Sequence, residues 1–189
     1  MSLTLESIPE SEIDRLRELA HIGASWAATA FARLVGRTIL TRVPVVHGPD
    51  RFRKRGEWQT GVLCEISGDL DGMVAIFLPI AVRDSLTALL CSKQGPSREM
   101  VASLLTELGS ILTSQTVSAI ADTLGGRIMP GLPELVLEDA EEALQARLSP
   151  RHRPPPPLYI ESELFDRQGD FRLLHVVLPQ VPKAAARAR

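Results

Sequence analysis

Two segments of the chain carry polar side chains at a spacing that places them in one line along a helix. In each segment four residues recur at positions i, i+4, i+7 and i+11, the period of a single helix face. They are Asp14, Glu18, His21 and Ser25 in the first segment and Ser103, Glu107, Ser110 and Ser114 in the second. A carboxylate can pair with a cationic group, and an imidazole or hydroxyl can hydrogen-bond a water molecule. Both lines are therefore candidate binding or catalytic surfaces.

The two segments are also similar to each other. When residues 18–44 are placed over residues 107–133, nine of the 27 pairs are identical, whereas chance gives about two. A second shared element follows each copy, MVAIFLP at residues 73–79 and LLHVVLP at residues 173–179. The offset between the copies grows from 89 to 100 residues, which indicates an insertion in the second half. The pattern predicts a tandem duplication.

Each polar line belongs to a long predicted helix. Ser11 is the predicted N-cap of the first helix, and Gly36 and Gly125 are predicted to end the first and second helices. The predicted buried stripe of the first helix consists of Ile13, Leu16, Ala20, Ala24, Ala27, Phe31 and Leu34. That of the second helix, which covers residues 98–124, consists of Met100, Leu104, Leu108, Ile111, Val117 and Ile120.

After each helix the apolar pattern changes to the period of two that is typical of β-strands. Strands are predicted at residues 38–46, 59–67 and 73–78, and again at 127–129, 158–164 and 171–178. Short helices are predicted at residues 81–90 and 138–148. The predicted fold is α+β, with two long helices packed on a β-sheet and pseudo-two-fold symmetry. We expect one domain over residues 1–180, with halves of approximately 11–92 and 97–180, and a basic flexible tail at 181–189.

Composition limits the classes of protein that remain. The chain has 189 residues, a formal net charge of −2, 44% hydrophobic residues and a mean hydropathy of +0.06. These values predict a globular domain with a substantial hydrophobic core. They argue against a disordered protein or a dedicated nucleic-acid binder. The longest uncharged run, residues 108–121, is shorter than the roughly 20 residues of a membrane-spanning helix. Cys64 and Cys91 lack metal-binding spacing, which favours reduced cysteines in a cytoplasmic protein.

Three further features have structural or functional interpretations. The basic run RFRKR at residues 51–55 could dock an acidic partner or form an ordinary solvated loop. His175 lies in an apolar strand, which favours a core histidine over a metal ligand. Pro44 and Pro133 are predicted to have a structural role, interrupting the strand that follows each long helix.

The spacing within the two polar lines resembles the signature of a known family. That signature, Asp or Ser, three residues, Glu, two residues, Asn, 22 residues and Pro, is typical of the CheC family of chemotaxis phosphatases, which includes CheX and FliY. The first copy contains Asp14, Glu18, His21 and Pro44, and the second contains Ser103, Glu107, Ser110 and Pro133. The segment ELAHIGASWAATA resembles the usual EIGNIGAGNAATA of the family, and SGDLDGMVAIFLP resembles its glycine-bearing hairpin. The resemblance covers about residues 13–179.

The resemblance implies a protein that binds a phosphorylated CheY-like response regulator and promotes hydrolysis of its aspartyl phosphate in chemotaxis or two-component signalling. Glu18 and Glu107 match the Glu that pairs with the active-site Lys of the regulator. The family Asn, which orients a water molecule in line with the phosphorus, is replaced here by His21 and Ser110. No cofactor of the chain's own is implied, since Mg²⁺ is expected on the regulator. The remaining residues of the lines, Asp14, Ser25, Ser103 and Ser114, are predicted to contact the partner.

The replaced Asn leaves two alternatives open. A neutral imidazole reaches about as far as an amide and can accept a hydrogen bond from water, whereas a serine hydroxyl ends roughly 1 Å short, which favours His21 over Ser110 as a catalyst. Loss of the Asn in both copies also fits a non-catalytic adaptor of the same fold. Such an adaptor would bind a response regulator, a CheD-type deamidase or flagellar switch components, as a monomer or a homodimer. We expect no nucleic-acid partner, no metal site and no membrane insertion.

Overall fold

The computed structural model describes residues 5–91, 95–149 and 156–180, which form four α-helices and seven β-strands. The helices are α1 (Glu10–Val35), α2 (Ile80–Leu90), α3 (Arg98–Leu124) and α4 (Ala140–Leu148). The strands are β1 (Ile39–Thr41), β2 (Val45–His47), β3 (Thr60–Gly68), β4 (Gly72–Leu78), β5 (Ile128–Val136), β6 (Tyr159–Asp166) and β7 (Arg172–Pro179). The predicted α+β class is confirmed, and the predicted tail lies outside the described residues.

All the strands of the described chain join one antiparallel sheet in the order β1-β6-β7-β4-β3-β5. The strand β2 also pairs with β6, so β1 and β2 are two pieces of the same edge. Between them the backbone N–H of Arg42 still donates to the carbonyl oxygen of Glu163, at 2.8 Å. The predicted hairpin of β3 and β4 is confirmed, with Thr60 opposite Leu78 and Ile66 opposite Gly72.

The two long helices pack against each other and against one face of the sheet. A hypothetical Cβ on Gly23 of α1 would lie 2.8 Å from the Thr116 side chain and 3.3 Å from that of Ile120, both on α3. Leu34, eleven residues further along α1, instead lines a groove together with Leu104 of α3. The helices therefore run antiparallel. Because small residues such as Gly23 form the contact, the two backbones approach closely and share one apolar core with the sheet.

A second apolar layer covers the opposite face of the sheet. Trp58, Phe77 and Tyr159 are buried there against Leu144 of α4. The sheet is therefore covered on both faces, and the long helices α1 and α3 form the outer layer on one side. Their outward faces remain accessible to a partner.

His175 lies on β7 with none of its surface exposed, and its Nε2 atom is 2.9 Å from the Oγ1 atom of Thr116. Thr116 donates its hydroxyl proton to the carbonyl oxygen of Leu112, so its oxygen accepts the Nε2–H of His175. The Nδ1 atom has no hydrogen-bond partner among the described residues. Burial lowers the pKa of His175 from 6.5 to about 4, because a charged ring would be poorly solvated there. The histidine is therefore a neutral core residue, as the sequence predicted.

This buried histidine predicts a pH-dependent stability. In the unfolded chain the ring protonates near pH 6.5, whereas in the folded chain it does so near pH 4. Between these values the unfolded state binds more protons, so acidification favours unfolding. We expect the free energy of unfolding to fall by about 2 kcal/mol between about pH 7 and pH 5 on this account. Urea denaturation at several pH values measures this change in the free energy of unfolding.

The matched control for this prediction is the variant His175→Met, which replaces the titrating ring by an uncharged side chain of similar size. Its stability at neutral pH need not equal that of the parent chain, because the comparison concerns the slope. We expect the variant to lose most of the pH dependence between pH 7 and pH 5. Equal slopes for the two proteins would show that His175 is not the titrating group.

Four details differ from the sequence-based predictions. The helix α1 begins at Glu10 after Pro9, without the Ser11 side-chain cap that was predicted. The predicted strand 38–46 is divided into β1 and β2, because Pro44 lacks the backbone N–H that would continue the pairing with β6. The strand β5 extends to Val136 instead of ending at residue 129. On α3, Met100 is 41% exposed rather than buried.

The length of β5 has a simple physical explanation. The segment contains Pro130, Gly131 and Pro133, which usually indicate a turn. Here β5 is the edge strand of the sheet, where a proline is tolerated because its missing N–H need not reach a second neighbour. A bulge in β5, where Gly131 and Leu132 together lie opposite Glu65 of β3, accommodates the irregular pairing.

Candidate functional site

The first polar line lies on the outward face of α1. Its inward face is fixed by buried residues that include Leu16, Ala20 and Ala24. Glu18 and His21 are therefore held one turn apart on a helix that the core keeps rigid, and both are exposed. Neither side chain has an ion-pair or hydrogen-bond partner among the residues that the structure describes. A carboxylate and an imidazole are thus presented together and remain available to a partner.

The other two members of this line are already engaged within the helix. The carboxylate of Asp14 lies 3.1 Å from the guanidinium of Arg17. The hydroxyl of Ser25 donates to the carbonyl oxygen of His21 at 2.8 Å. Each could still accept a hydrogen bond through its remaining oxygen lone pairs. Asp14 and Ser25 can therefore add hydrogen bonds at the edge of an interface. Each side chain already has a partner within the helix, however, so neither is as available as Glu18 or His21.

The second polar line lies on the outward face of α3 and differs in its chemistry. Glu107 is exposed and has no ion-pair partner in the described part of the chain. Ser110 is only half-exposed, and its hydroxyl donates to the carbonyl oxygen of Thr106 at 2.9 Å. Ser103 and Ser114 are exposed on either side. The α3 line thus offers the Glu107 carboxylate for binding. The Ser110 hydroxyl is less available, because its hydrogen bond is already donated to the helix backbone.

The structure does not bring the two lines together into one site. Since α1 and α3 run antiparallel, Glu18 lies beside the carboxyl end of α3 and Glu107 lies beside the carboxyl end of α1. At 1.5 Å per residue the two carboxylates are about 20 Å apart along the helix pair. Each line is therefore a separate candidate site, and no catalytic step can use groups from both.

An apolar groove distinguishes the surroundings of Glu107. It has a volume of about 390 Å³ and lies where the carboxyl ends of α1 and α2 meet the amino-terminal half of α3. Its walls include Leu34, Leu90, Leu104 and Ile111, with Glu107 at the rim. The predicted buried stripe of α3 is therefore only partly correct, because Leu104 and Ile111 are half-buried in this groove. Leu105, Leu112 and Thr116 fill the core in their place.

One exposed residue of the α1 surface was missed by the sequence reasoning. Trp26 is 46% exposed, although tryptophan is among the largest apolar side chains. It follows Ser25 directly and lies two turns beyond Glu18. The signal that could have found it was the departure of SW at residues 25–26 from the GN of the family segment.

The remaining candidate residues have mainly structural contacts. In the basic run, Arg55 pairs with Glu161, and Arg53 donates to the carbonyl oxygens of Asp50 and Phe52. Burial raises the pKa of the Cys64 thiol, which makes it less reactive. Within residues 5–91, 95–149 and 156–180, no cluster of three or more His, Cys, Asp or Glu could hold a metal ion. None of the helices in those residues combines the length with the hydropathy that a membrane span requires.

Comparison with known proteins identifies similar sequences and folds. No protein-family model matches the chain. The CheY-P phosphatase CheC of Bacillus subtilis is 29% identical over 143 residues, which cover 69% of this chain and 68% of that protein. A chain of the CheX–CheY–BeF3–Mg²⁺ complex of Borrelia burgdorferi superposes with a TM-score of 0.63 and 14% identity, covering 85% of this chain and 97% of that chain. FliY of Thermotoga maritima has a TM-score of 0.65 and 17% identity, with coverages of 99% and 95%. The predicted resemblance to CheC, CheX and FliY is therefore confirmed.

Proposed function

From this CheC-like fold and the Glu18–His21 pair, we propose that the chain binds a phosphorylated CheY-like response regulator and accelerates hydrolysis of its aspartyl phosphate. The observation that carries the proposal is the pair itself, exposed and unpartnered on a helix that the core fixes. Two of the similar proteins add support, since one is a CheY-P phosphatase and the other comes from a complex of CheX with CheY. Such a partner implies a cytoplasmic location.

In the proposed binding step, Glu18 pairs with a cationic side chain of the regulator. Its carboxylate has no competing cation in the described structure, so docking does not first have to break an internal ion pair. An ion pair at an interface contributes part of the affinity and fixes the register of the two proteins. Glu18 is thus the residue that sets the position of His21 over the phosphorylated site.

In the proposed chemical step, His21 positions the attacking water. A neutral imidazole nitrogen accepts a hydrogen bond from the water, which orients the oxygen toward the phosphorus. The regulator would bring the acyl phosphate and its own Mg²⁺, and the metal would neutralise charge on the phosphoryl oxygens. The chain itself then contributes orientation only. Because the regulator supplies the phosphate and the metal, this chain needs only a docking group and a water-positioning group. On the α1 surface these are the Glu18 carboxylate and the His21 imidazole.

The α3 line fits a weaker role in the same reaction. Glu107 can pair with a regulator as Glu18 does, but Ser110 is shorter than His21 and its hydroxyl donates its hydrogen bond to the carbonyl oxygen of Thr106. A misplacement of about 1 Å costs on the order of 100-fold in rate, so this site would bind more effectively than it catalyses.

A non-catalytic adaptor is the second candidate, and the replaced Asn at both positions favours it. In that case the α1 and α3 surfaces would bind a regulator, a CheD-type deamidase or flagellar switch components without turnover. The two candidates share the docking residues and differ only in whether the water is positioned. A turnover experiment therefore separates them.

The turnover experiment measures the decay of a phosphorylated CheY-like regulator from the same organism with substoichiometric amounts of this protein. We expect the decay rate to rise in proportion to the protein concentration, with several regulator molecules turned over per molecule. Binding of a regulator in its BeF3 form is measured in parallel. Binding without faster decay would support the adaptor, and the absence of both would contradict the proposal.

We also propose that the fold arose by the predicted tandem duplication. If β3 and β4 correspond to β6 and β7, the strand order is symmetric, with β4 and β7 paired at the centre and one edge contributed by each half. Pro44 and Pro133, which correspond in the alignment, both lie at an edge of the sheet. A crystal structure tests this proposal. Failure of residues 10–79 to superpose on residues 98–179 would contradict it.

A further inference from the structure

A close approach of α1 to α3 lies directly beneath the candidate site. Gly23 follows His21 by two residues, and its missing side chain leaves room for Thr116 of α3. A Cβ atom added at Gly23 would lie 2.8 Å from the Cγ2 methyl of Thr116 and 3.3 Å from the Cδ1 atom of Ile120. The Oγ1 atom of Thr116 also lies 3.5 Å from the Gly23 carbonyl oxygen. The turn of α1 that carries His21 is therefore in direct contact with the Thr116 side chain.

The Thr116 side chain is fixed in one orientation. Its hydroxyl donates to the carbonyl oxygen of Leu112 at 2.9 Å and accepts the Nε2–H of His175, also at 2.9 Å. Thr116 and His175 are both fully buried. Turning the methyl group away from Gly23 would also turn the hydroxyl away from its partners, because the two groups share the Cβ atom, and buried polar groups without partners are costly. The methyl group therefore stays against Gly23 and sets the separation of the two helices there.

The second copy has different residues at the corresponding positions. In the alignment of the two segments, the residue equivalent to Gly23 is Leu112, and the residue equivalent to Thr116 is Ala27. Leu112 and Ala27 are both fully buried. The glycine contact therefore lies beneath the polar line of α1, whereas a leucine occupies the equivalent position beneath the polar line of α3.

We infer that Gly23 and Thr116 are positioning residues for His21, because their contact sets the distance of the His21 turn from α3. This inference rests on the proposed function. A helix with its side chains is only about 10 Å wide, whereas an interface of standard size takes roughly 800 Å² from each partner, so a regulator docked on α1 also contacts the adjacent face of α3. The distance of His21 from α3 then decides where the imidazole lies relative to the aspartyl phosphate.

The test is the variant Gly23→Ala, measured by phosphate release from a phosphorylated CheY-like regulator at several concentrations. Because Thr116 is held in place, the added methyl group requires α1 to move outward by about 0.7 Å, which brings the two carbon atoms to a contact distance of about 3.5 Å. Since a misplacement of about 1 Å costs on the order of 100-fold in rate, we expect kcat to fall about tenfold. KM should change little, because the docking carboxylate of Glu18 is retained.

The matched control removes the methyl group on the other side of the contact. Thr116→Ser deletes the Cγ2 atom and keeps the hydroxyl that bonds to His175, so the methyl group added by Gly23→Ala then has room. We expect Gly23→Ala to lower kcat about tenfold in the parent chain and by less than about twofold in the Thr116→Ser background. Such dependence of one substitution on the other indicates a direct contact, and a general loss of stability would not produce it.

Gly61→Ala controls for steric strain elsewhere in the fold. Gly61 lies on β3, and a Cβ atom there would lie 2.6 Å from the ring of Phe77, in the apolar layer opposite α1 and α3. We expect Gly61→Ala to lower the Tm and to keep kcat within about twofold of the parent. Thermal unfolding checks that each variant is folded in the assay. For Gly23→Ala this is expected, since the higher helix propensity of alanine offsets part of the strain.

The outcomes separate this inference from the proposed function. A fall in kcat that disappears in the Thr116→Ser background supports the positioning contact. If Gly23→Ala is as active as the parent chain, or if Thr116→Ser does not reduce its effect, the inference is wrong and the proposed function stands. An equal loss of kcat in Gly61→Ala would assign the effect to strain in general and would also overturn the inference. A parent chain that does not accelerate the decay contradicts both.

Discussion

Replacement of His21 by alanine is expected to slow dephosphorylation of the regulator by about 100-fold at saturating regulator, because the water loses the group that orients it. The affinity for the regulator should change little, since Glu18 remains in place. The loss is thus expected in kcat and not in KM, which is the signature of an interaction made in the transition state. Phosphate release at several regulator concentrations measures both constants.

Three variants make this prediction specific. His21→Asn introduces the residue that the family carries, and we expect it to retain activity within about tenfold of the parent, because an amide can position water equally well. Ser110→Ala is expected to leave the rate nearly unchanged, since the Ser110 hydroxyl donates its hydrogen bond to the carbonyl oxygen of Thr106. Glu18→Ala should raise KM. If His21→Ala retained full activity while Ser110→Ala lost it, the catalytic site would be on α3 and the assignment would be wrong.

The largest effect on stability is expected from Asp166→Ala, which should lower the free energy of unfolding by about 3 kcal/mol. The Asp166 side chain is fully buried, accepts the backbone N–H of Phe171 at 3.0 Å and lies 3.0 Å from the guanidinium of Arg37. Burial alone would raise the pKa of Asp166, but these two contacts outweigh it and the pKa is lowered. The carboxylate therefore ties the end of α1 to the turn between β6 and β7.

Asp170 provides the matched control, because its carboxylate contacts the same guanidinium at 2.6 Å but is 55% exposed. An exposed ion pair contributes little, so Asp170→Ala should cost less than about 1 kcal/mol. Thermal unfolding distinguishes the two, with a Tm lowered by roughly 6 to 12 °C for Asp166→Ala. Equal effects of the two variants would show that burial of Asp166 is not the source of its contribution.

The helices and the hairpins could be predicted from the sequence because their signals are local. Gly36 and Gly125 end the two long helices as predicted, with φ values of 67° and 63° that residues with a side chain rarely adopt. The polar turn after β3 likewise predicted the hairpin with β4. Each of these features depends on a few neighbouring residues, so no distant contact could change it.

Features that depend on the neighbours of an element could not be predicted in this way. The strand β5 contains turn-forming residues and is a strand only because β3 offers an edge to pair with. On α3, Met100, Leu104 and Leu105 are all apolar, and the sequence pattern does not say which of them faces the core. The packing of α1 and the sheet selects Leu105, which is fully buried, and leaves the other two at the surface.

The sequence by itself determined which side chains share a face of each long helix, because the helical period fixes their direction. It thus determined that Glu18 and His21 are neighbours, as are Glu107 and Ser110. Only the tertiary structure decided that the two pairs lie at opposite ends of an antiparallel helix pair. The relative position of two helices depends on the close contact at Gly23 and on the sheet beneath them, and these long-range contacts leave no periodic signal in the sequence.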